Sequence, residues 1–292
     1  MRDGHRPLLG ARVEIEDVGR GISCIHMSDR VTRAFKMETC AFLVGDVLID
    51  TGFAHVRDLL VRRLADRAIS AICCTHNHED HTAGCAALAR AHGCPVYLHR
   101  ASALWEEGVG RMRPYRRRVW GAVERFTPEE MPDVIRANGR SILAVPTPGH
   151  SQTHTAFFDE TSGFVFSGDL FIARGVSAVM THENPFESVA SLRRVAALEP
   201  RVMLTGHGDI VDAPAGPLRD KADRIEDAAA TVLALHERGW STTEILDQVF
   251  PSGALKDRFS AWLSDGEFSR ANFVRACLIH AEGQSLGVHR PL

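Results

Sequence analysis

The sequence lacks the features that would direct a protein to a membrane or to nucleic acid. Its 292 residues carry a formal net charge of only −3, which gives no electrostatic case for binding nucleic acid or an anionic membrane surface. No apolar run approaches the roughly 18 residues that a membrane helix needs. The polar start, residues 1–7, is not followed by the apolar segment of a secretory signal peptide. We therefore expect a cytoplasmic protein that acts on a small molecule.

Lysine and paired cysteines are also scarce. Lysine occurs only at positions 36, 221 and 256, a bias that says little about function. The seven cysteines, an odd number, include no Cys-x-x-Cys pair and no disulfide framework, which fits a reduced compartment. There is no internal repeat or low-complexity segment, and a hydrophobic content of 45% is enough for a full core.

The most informative stretch is His76-Asn77-His78-Glu79-Asp80-His81, which directly follows a short apolar segment at residues 69–74. Imidazole nitrogens and carboxylates are the ligands that a borderline divalent ion such as zinc accepts. His76 and His78 are two residues apart on an extended segment and can hold one ion. Asp80 and His81 can then turn towards a second ion.

The pattern around this cluster predicts an α/β fold. Residues 11–50 have the pattern of short strands, with a hairpin turn at Gly45-Asp46, and residues 53–66 have helical periodicity. A strand at 69–74, a helix at 83–92 and a strand at 95–99 form a βαβ unit. The cluster therefore lies at the carboxyl end of a strand, where sites in such sheets gather.

Three more candidate ligands each follow a predicted strand and a turn that contains glycine. They are His150 in Pro148-Gly149-His150, Asp169 in Ser167-Gly168-Asp169, and His207 in Gly206-His207-Gly208. Together with the cluster they provide five imidazoles and two carboxylates, enough for two metals if one carboxylate bridges them.

Two regions have weaker patterns. Residues 103–125 look helical, with interruptions at Gly108, Gly110 and Pro114, and include Arg113, Tyr115 and Arg116. This stretch is either a solvated helical face or a lid whose arginines meet a carboxylated substrate. After Pro214 and Pro217 only helical patterns remain, at about 218–238, 242–249, 255–264 and 268–281, and Ser241 with Glu244 predicts a capping box. This tail could cap the pocket or mediate a homodimer.

The ordered motifs resemble those of the metallo-β-lactamase fold superfamily, in the branch of glyoxalase II and the quorum-signal lactonases. The resemblance covers roughly residues 20–212 and also includes Asp50-Thr51-Gly52. It implies an α/β (α+β) fold, a four-layer αββα sandwich with the metals at one edge. The expected organisation is a catalytic domain at 1–215 with a helical insertion or lid at 101–139, and a helical subdomain at 216–292.

The resemblance also implies the ligand sets. His76, His78 and His150 would hold the first metal, Asp80, His81 and His207 the second, and Asp169 would bridge them. Asp50 would support the cluster by hydrogen bonding, and His154 is either a similar supporting group or a core histidine. The expected cofactor is two Zn²⁺, with iron or manganese as alternatives, and Asp80, His81 and Asp169 are the candidate catalytic residues. Two such ions about 3.5 to 4 Å apart lower the pKa of a bound water from about 15.7 towards 7, so no serine or cysteine nucleophile is required.

The substrate is less constrained. The related lactonases have a tyrosine three residues after the bridging aspartate, where this chain has Ile172, whereas Asp169-Leu170-Phe171 looks more like glyoxalase II. We therefore expect hydrolysis of an ester or thioester ahead of a lactone. The alternatives are a persulfide dioxygenase with a single iron, a phosphodiesterase or nuclease of the same fold, and a scaffold with a vestigial site.

Overall fold

A computed structural model describes residues 10–100, 112–176, 178–251 and 254–285. These residues form fifteen strands and ten α-helices. The strands are β1 (Arg12–Asp17), β2 (Ile22–Ser28), β3 (Thr39–Val44), β4 (Val47–Ile49), β5 (Ala71–Cys74), β6 (Val96–Leu98), β7 (Glu129–Glu130), β8 (Val134–Ala137), β9 (Arg140–Pro146), β10 (Thr155–Asp159), β11 (Phe164–Phe166), β12 (Val179–Met180), β13 (Val202–Leu204), β14 (Ile210–Asp212) and β15 (Phe268–Ser269). The helices are α1 (Arg30–Phe35), α2 (Arg57–Leu64), α3 (Glu79–Thr82), α4 (Cys85–His92), α5 (Pro114–Trp120), α6 (Pro185–Ala196), α7 (Ala215–Glu237), α8 (Thr242–Val249), α9 (Ala254–Leu263) and α10 (Arg270–Ser285).

The chain divides into two compact units. The first comprises Met1–Pro146, Gln152–Ile172 and Pro200–Pro214, and the second comprises Thr147–Ser151, Ala173–Glu199 and Ala215–Leu292. The second unit thus contains the predicted helical tail together with two earlier segments. The predicted domain boundary between residues 215 and 216 stays a prediction.

The first unit contains two sheets. The seven-stranded sheet has the order β1-β2-β3-β4-β5-β6-β7, antiparallel as far as β4 and parallel from β4 to β7. The six-stranded sheet has the order β14-β13-β11-β10-β9-β8. The predicted hairpin is confirmed, because Val44 pairs with Val47 across Gly45-Asp46 and Gly45 has a φ of +62°. The predicted βαβ unit is confirmed as β5, α4 and β6.

Apolar side chains fill both faces of the seven-stranded sheet. Phe42 from this sheet packs with Phe157 and Phe166 from the six-stranded sheet in the core between them. On the opposite face, Leu60 of α2 and Trp120 of α5 belong to a second cluster with strand residues. Burying both faces requires the near-continuous apolar runs that β3, β4 and β5 show.

Several short elements differ from the sequence prediction. Helix α1 was not expected; Asp29 caps it by accepting hydrogen bonds from the backbone N–H groups of Val31 and Thr32, both 2.8 Å long. Pro114 begins α5 instead of interrupting a helix, since proline is suited to the first helical turn, and residues 121–125 are not helical. The part of the predicted helix at 103–111 lies outside the described residues.

The second unit is mainly helical. Asn184 caps α6, and the predicted capping box of Ser241 and Glu244 at the start of α8 is confirmed. The expectation that strands end before the tail is wrong in one place, because β15 pairs with β12. None of the described helices is both long and apolar enough to cross a bilayer.

Candidate metal centre

The histidine cluster lies between the end of β5 and the short helix α3. β5 ends at Cys74, and the chain then bends through residues 75–77, so His76 does not lie on the predicted extended segment; His78, the N-cap of α3, has an extended conformation, and α3 begins at Glu79. α3 then presents Asp80 and His81 within its single turn. All the ionisable side chains from residue 76 to residue 81 are buried. Burial of this many polar groups costs free energy unless they form hydrogen bonds or ion pairs, and residues of neighbouring loops provide such partners.

One group of ligands forms around the Nε2 atom of His76. It lies 2.9 Å from His78 Nδ1 and 4.0 Å from Asp169 Oδ2. Atoms of these three side chains all lie within 4.8 Å of one another. Asp169 reaches this point because a 3-10 helix, Gly168–Phe171, turns the chain directly after β11.

A second group contains Asp80, His81 and His207, again with ligand atoms within 4.8 Å of one another. His81 Nε2 lies 3.3 Å from Asp169 Oδ1 and 3.7 Å from Asp80 Oδ2. His207 Nε2 lies 3.3 Å from Asp169 Oδ2. Asp169 therefore contacts both groups, as its predicted bridging role requires.

Asp50 holds His81 in one orientation. The His81 Nδ1–H donates to Asp50 Oδ2 over 2.8 Å, which leaves Nε2 directed at Asp169 and Asp80. Thr75 fixes the carboxylate in turn, through its backbone N–H at 2.7 Å and its hydroxyl at 2.8 Å. A carboxylate on the far nitrogen of a histidine is the usual support of a metal ligand. Thr75 was not identified from the sequence, although its place next to His76 was a usable signal.

Two further hydrogen bonds involve predicted ligands. The His207 Nδ1–H donates to the carbonyl of Glu38 over 2.8 Å, which leaves Nε2 facing Asp169. The backbone N–H of Asp169 donates to His154 Nε2 over 3.1 Å. His154 is buried and its ring lies 5.2 Å from that of His76. It therefore contacts the backbone of Asp169, in keeping with a supporting group.

Gly206 allows the centre to close. A Cβ at this position would lie 2.8 Å from His81 Cε1 and 2.9 Å from Asp169 Oδ1, closer than real Cβ contacts. Only glycine fits between these two side chains without displacing one of them. The first glycine of Gly206-His207-Gly208 is thus explained by the close approach of the His81 and Asp169 side chains to its Cα.

The electrostatics match a site for a cation. Burial lowers the pKa of His81, but the carboxylates of Asp50, Asp169 and Asp80 outweigh it and raise the pKa well above the ordinary value. Burial raises the pKa of Asp169, but His207 and His81 outweigh it and lower the pKa well below the usual range. For His207, the carboxylate of Asp169 outweighs burial and raises the pKa to about 9. These shifts show that the buried carboxylates favour positive charge at the positions of His81 and His207.

The donor set fits a divalent metal. His81 Nε2 is buried and makes no hydrogen bond among the described residues, although it faces two carboxylates. Such an atom loses its hydration without a replacement, unless a cation coordinates it. Imidazoles and carboxylates bind zinc, iron and manganese, so the donor set is compatible with each of these three metals.

His150 belongs to the second unit. It is buried in the turn at 147–151, and its Nδ1 lies 3.4 Å from Glu183 Oε2. The turn is tight because Gly149, at a φ of +137°, packs against the backbone of Ser188. Its assignment to the first metal rests on the motif and stays a prediction.

The predicted substrate residues have different environments. Arg116 is buried and forms a two-pronged ion pair with Glu79, with Nη2 2.8 Å from Oε2 and Nε against Oε1. Arg113 and Tyr115 are half-buried, and Ile172 is 40% exposed. Substrate contact by these four residues stays a prediction. The pairing of Arg116 with Glu79 was not predicted from the sequence, although Glu79 is the one charged residue of the cluster without an assigned role.

Comparison with known proteins identifies relatives of this chain. The sequence model described as the Metallo-beta-lactamase superfamily matches residues 39–207. An atrochrysone carboxyl ACP thioesterase of Emericella nidulans is 28% identical over 236 residues, which are 75% of this chain and 70% of that protein. The chain covers between 41 and 61% of the next three relatives.

Solved structures show the same fold. A beta-lactamase domain protein from Burkholderia ambifaria superposes with a TM-score of 0.67 at 18% identity, covering 92% of this chain and 88% of the other. The protein TTHA1623, solved in a di-iron-bound form, is 30% identical with a TM-score of 0.51, covering 61% of this chain and 92% of the other. The fold class predicted from the sequence is confirmed.

Proposed function

The chain belongs to the metallo-beta-lactamase superfamily, and on this premise we propose that it is a metal-dependent hydrolase of acyl thioesters. The observation that carries the proposal is the position of Asp169 between the two ligand groups. Its two carboxylate oxygens lie 3.3 Å from His81 Nε2 and 3.3 Å from His207 Nε2, and Oδ2 also lies 4.0 Å from His76 Nε2. One carboxylate shared between two sets of imidazoles is the arrangement that a dinuclear centre needs.

We assign one metal to His76, His78 and His150 and the other to Asp80, His81 and His207, with Asp169 shared. When bound, two such cations supply a Lewis acid for the acyl carbonyl and a nucleophile from water at neutral pH. The protein's own part is orientation. Asp50 and the Glu38 carbonyl each take the Nδ1 proton of one histidine, so that Nε2 of His81 and His207 is directed inwards. Burial of Asp80, His81 and Asp169 limits competing hydration of these ligands.

The metal is proposed to be zinc, with iron or manganese as alternatives. A two-metal site is supported by the di-iron form of TTHA1623, which is 30% identical to this chain. That relative also shows that the fold can hold iron, so metal content must be measured directly. Elemental measurements on the purified wild type and on Asp169→Asn should therefore differ by up to two zinc-like ions per chain.

The thioester class is proposed from the atrochrysone carboxyl ACP thioesterase, which is similar over 75% of this chain. A thioester is also chemically suited to this site, because its carbonyl is activated by a Lewis acid and a thiolate leaves without needing a strong general acid. Action on a small acyl substrate in the cytoplasm, without nucleic acid or membrane as partner and with a homodimer as one assembly, remains a prediction.

The test compares acyl thioesters, oxygen esters, lactones and phosphodiesters as substrates of the zinc-loaded full chain. We expect thioesters to be hydrolysed fastest, and Asp169→Asn to lower that rate by more than about 100-fold, since a shared ligand matters more than a supporting group. Asp58→Asn is the matched control, because Asp58 lies half exposed on α2. Thioester hydrolysis that survives complete metal removal would contradict the proposal, and oxygen consumption with a persulfide would favour an iron dioxygenase instead.

A further inference from the structure

A second group of metal-ligand side chains lies in the first unit, outside the centre described above. Cys24, His26 and Cys40 offer ligand atoms that are all within 4.8 Å of one another. Cys24 and Cys40 are buried, and the His26 side chain is 29% exposed. The hydrolytic mechanism uses none of these three side chains.

Strand register explains how they meet. In the pairing of β2 with β3, Cys24 lies opposite Phe42 and His26 lies opposite Cys40. Residues 24 and 26 point to the same face of the sheet because side chains alternate along a strand. Three soft or borderline ligands therefore share one face of two adjacent strands without any loop rearrangement.

The distances suit a tetrahedral cation. Cys40 Sγ and His26 Nδ1 are 3.4 Å apart. Bonds of about 2.3 Å to sulfur and 2.0 Å to nitrogen around a tetrahedral zinc place such ligand atoms about 3.5 Å apart. The existing separation therefore already matches one edge of that coordination shell.

A supporting carboxylate is also present. Glu16 Oε2 lies 3.4 Å from His26 Nε2, on the opposite side of the ring from the nitrogen that faces Cys40. A carboxylate at the far nitrogen is the arrangement that orients metal-bound histidines.

We propose that Cys24, His26 and Cys40 bind one zinc-class cation at a site separate from the hydrolytic centre. Each cysteine that coordinates the cation releases its thiol proton to solvent, and a water completes the coordination. The ion would link β2 to β3. The loop that carries His207 lies next to this site, because the backbone N–H of Cys40 donates to the Gly206 carbonyl over 2.7 Å. Gly208 also borders the site, since a Cβ there would lie 3.5 Å from Cys40 Sγ and 3.9 Å from His26 Nδ1.

A disulfide between the two cysteines is the main competing use of these residues. They are diagonal neighbours in the ladder, where Cα atoms are roughly 7 to 8 Å apart, whereas the Cα atoms of disulfide-bonded cysteines are about 4.4 to 6.8 Å apart. A disulfide would also not explain why His26 faces Cys40 or why Glu16 lies beside His26. Metal binding accounts for all four side chains.

Cobalt(II) added to the reduced, metal-stripped full chain tests the site. Thiolate coordination gives cobalt an intense near-ultraviolet charge-transfer band, whereas the hydrolytic centre offers only imidazoles and carboxylates. We expect the band in the wild type to reach, at saturation, the intensity of one thiolate-bound ion per chain, and to be lost in Cys24→Ala and Cys40→Ala. Cys73→Ala is the matched control and should keep the band, because Cys73 lies in the same core between the sheets.

A second measurement does not depend on the variants folding. Zinc should protect Cys24 and Cys40 of the wild type from alkylation, mapped by mass spectrometry, at least 10-fold more than it protects Cys94. A wild-type protein without the band, or with a band that the Cys24 and Cys40 variants retain, would overturn the proposal. Protection that requires an oxidant instead of zinc would establish the disulfide. Loss of thioester hydrolysis alone would leave the band unchanged, so this proposal and the proposed function fail separately.

Discussion

At the scale of single residues, the backbone conformation of Asp50 directs its side chain towards the candidate metal centre. It has a φ of +61°, an unfavourable conformation for a residue with a side chain, directly after β4. In this conformation its buried carboxylate accepts hydrogen bonds from Thr75 and from His81. The strain is thus compensated by three hydrogen bonds, which fix the orientation of His81, a predicted metal ligand.

The substitution Asp50→Asn tests this role. An asparagine would keep the shape but would place a neutral amide against the Nδ1–H of His81, so the ring would lose its anionic acceptor. We expect affinity for one of the two metals to fall by about 10-fold to 100-fold, with the fold retained. Competition with a coloured chelator measures this affinity, and Asp58→Asn serves as the control. Unchanged affinity for both ions would show that Asp50 does not orient His81.

Gly206→Ala tests close packing at the centre. The added methyl group would lie within 3 Å of His81 and Asp169, so one of these side chains must move. We expect a loss of about 1 to 3 kcal/mol in the free energy of unfolding and fewer bound metal ions per chain. Gly216→Ala is the matched control, since nothing lies within 4 Å of a Cβ there. Denaturant unfolding and metal content check both effects, and full metal content in the Gly206→Ala variant would contradict the prediction.

At the scale of secondary-structure elements, the Glu79–Arg116 pair links the short helix α3 to α5. α3 contains only four residues and cannot be stable by itself. The side chains of Glu79 and Arg116 are only 4% and 9% exposed, so their ion pair is little screened by solvent. Because Asp80 and His81 follow Glu79 directly, this pair helps to position two predicted ligands.

A double-mutant cycle measures the contribution of the pair. Glu79→Leu or Arg116→Met alone leaves a buried charge without its partner and should cost about 3 to 5 kcal/mol of unfolding free energy. The double variant should lose much less than the sum of the two single losses. Arg117→Met, on the exposed neighbour of Arg116, should change stability little. Additive losses would mean that the pair does not couple the two helices.

The sequence predicted the elements whose patterns are local. The hairpin at Gly45-Asp46, the βαβ unit and the capping box at Ser241 follow from turn residues, periodicity and caps. Short elements were missed because so few residues carry no periodicity; α1 depends on its cap at Asp29, and β15 depends on pairing with β12. For the site, the ligand types could be predicted from motifs. Glu38 could not, because it contributes a backbone carbonyl that any residue has.

At the scale of the whole molecule, the predicted ligands come from parts of the chain that are far apart in sequence. In the first unit, His76 follows β5 of one sheet, Asp169 follows β11 of the other sheet, and His207 lies between β13 and β14. Their side chains meet only when both sheets have formed. Metal binding and folding of the first unit are therefore expected to be coupled, because the unfolded chain has no preformed site.

Removing the metal should consequently lower thermal stability. A ligand present at about 1,000 times its dissociation constant stabilises a protein by about 4 kcal/mol, and each kcal/mol shifts Tm by about 2 to 4 °C in a chain of this size. We expect the zinc-loaded protein to melt roughly 10 °C above the chelator-treated protein, with full recovery when zinc is restored. His207→Ala should reduce the shift, whereas Cys24→Ala should keep most of it and so separate the hydrolytic centre from the cysteine site. Equal melting temperatures with and without zinc, measured by calorimetry on the wild type, would show that the ligands do not hold a metal in the folded chain.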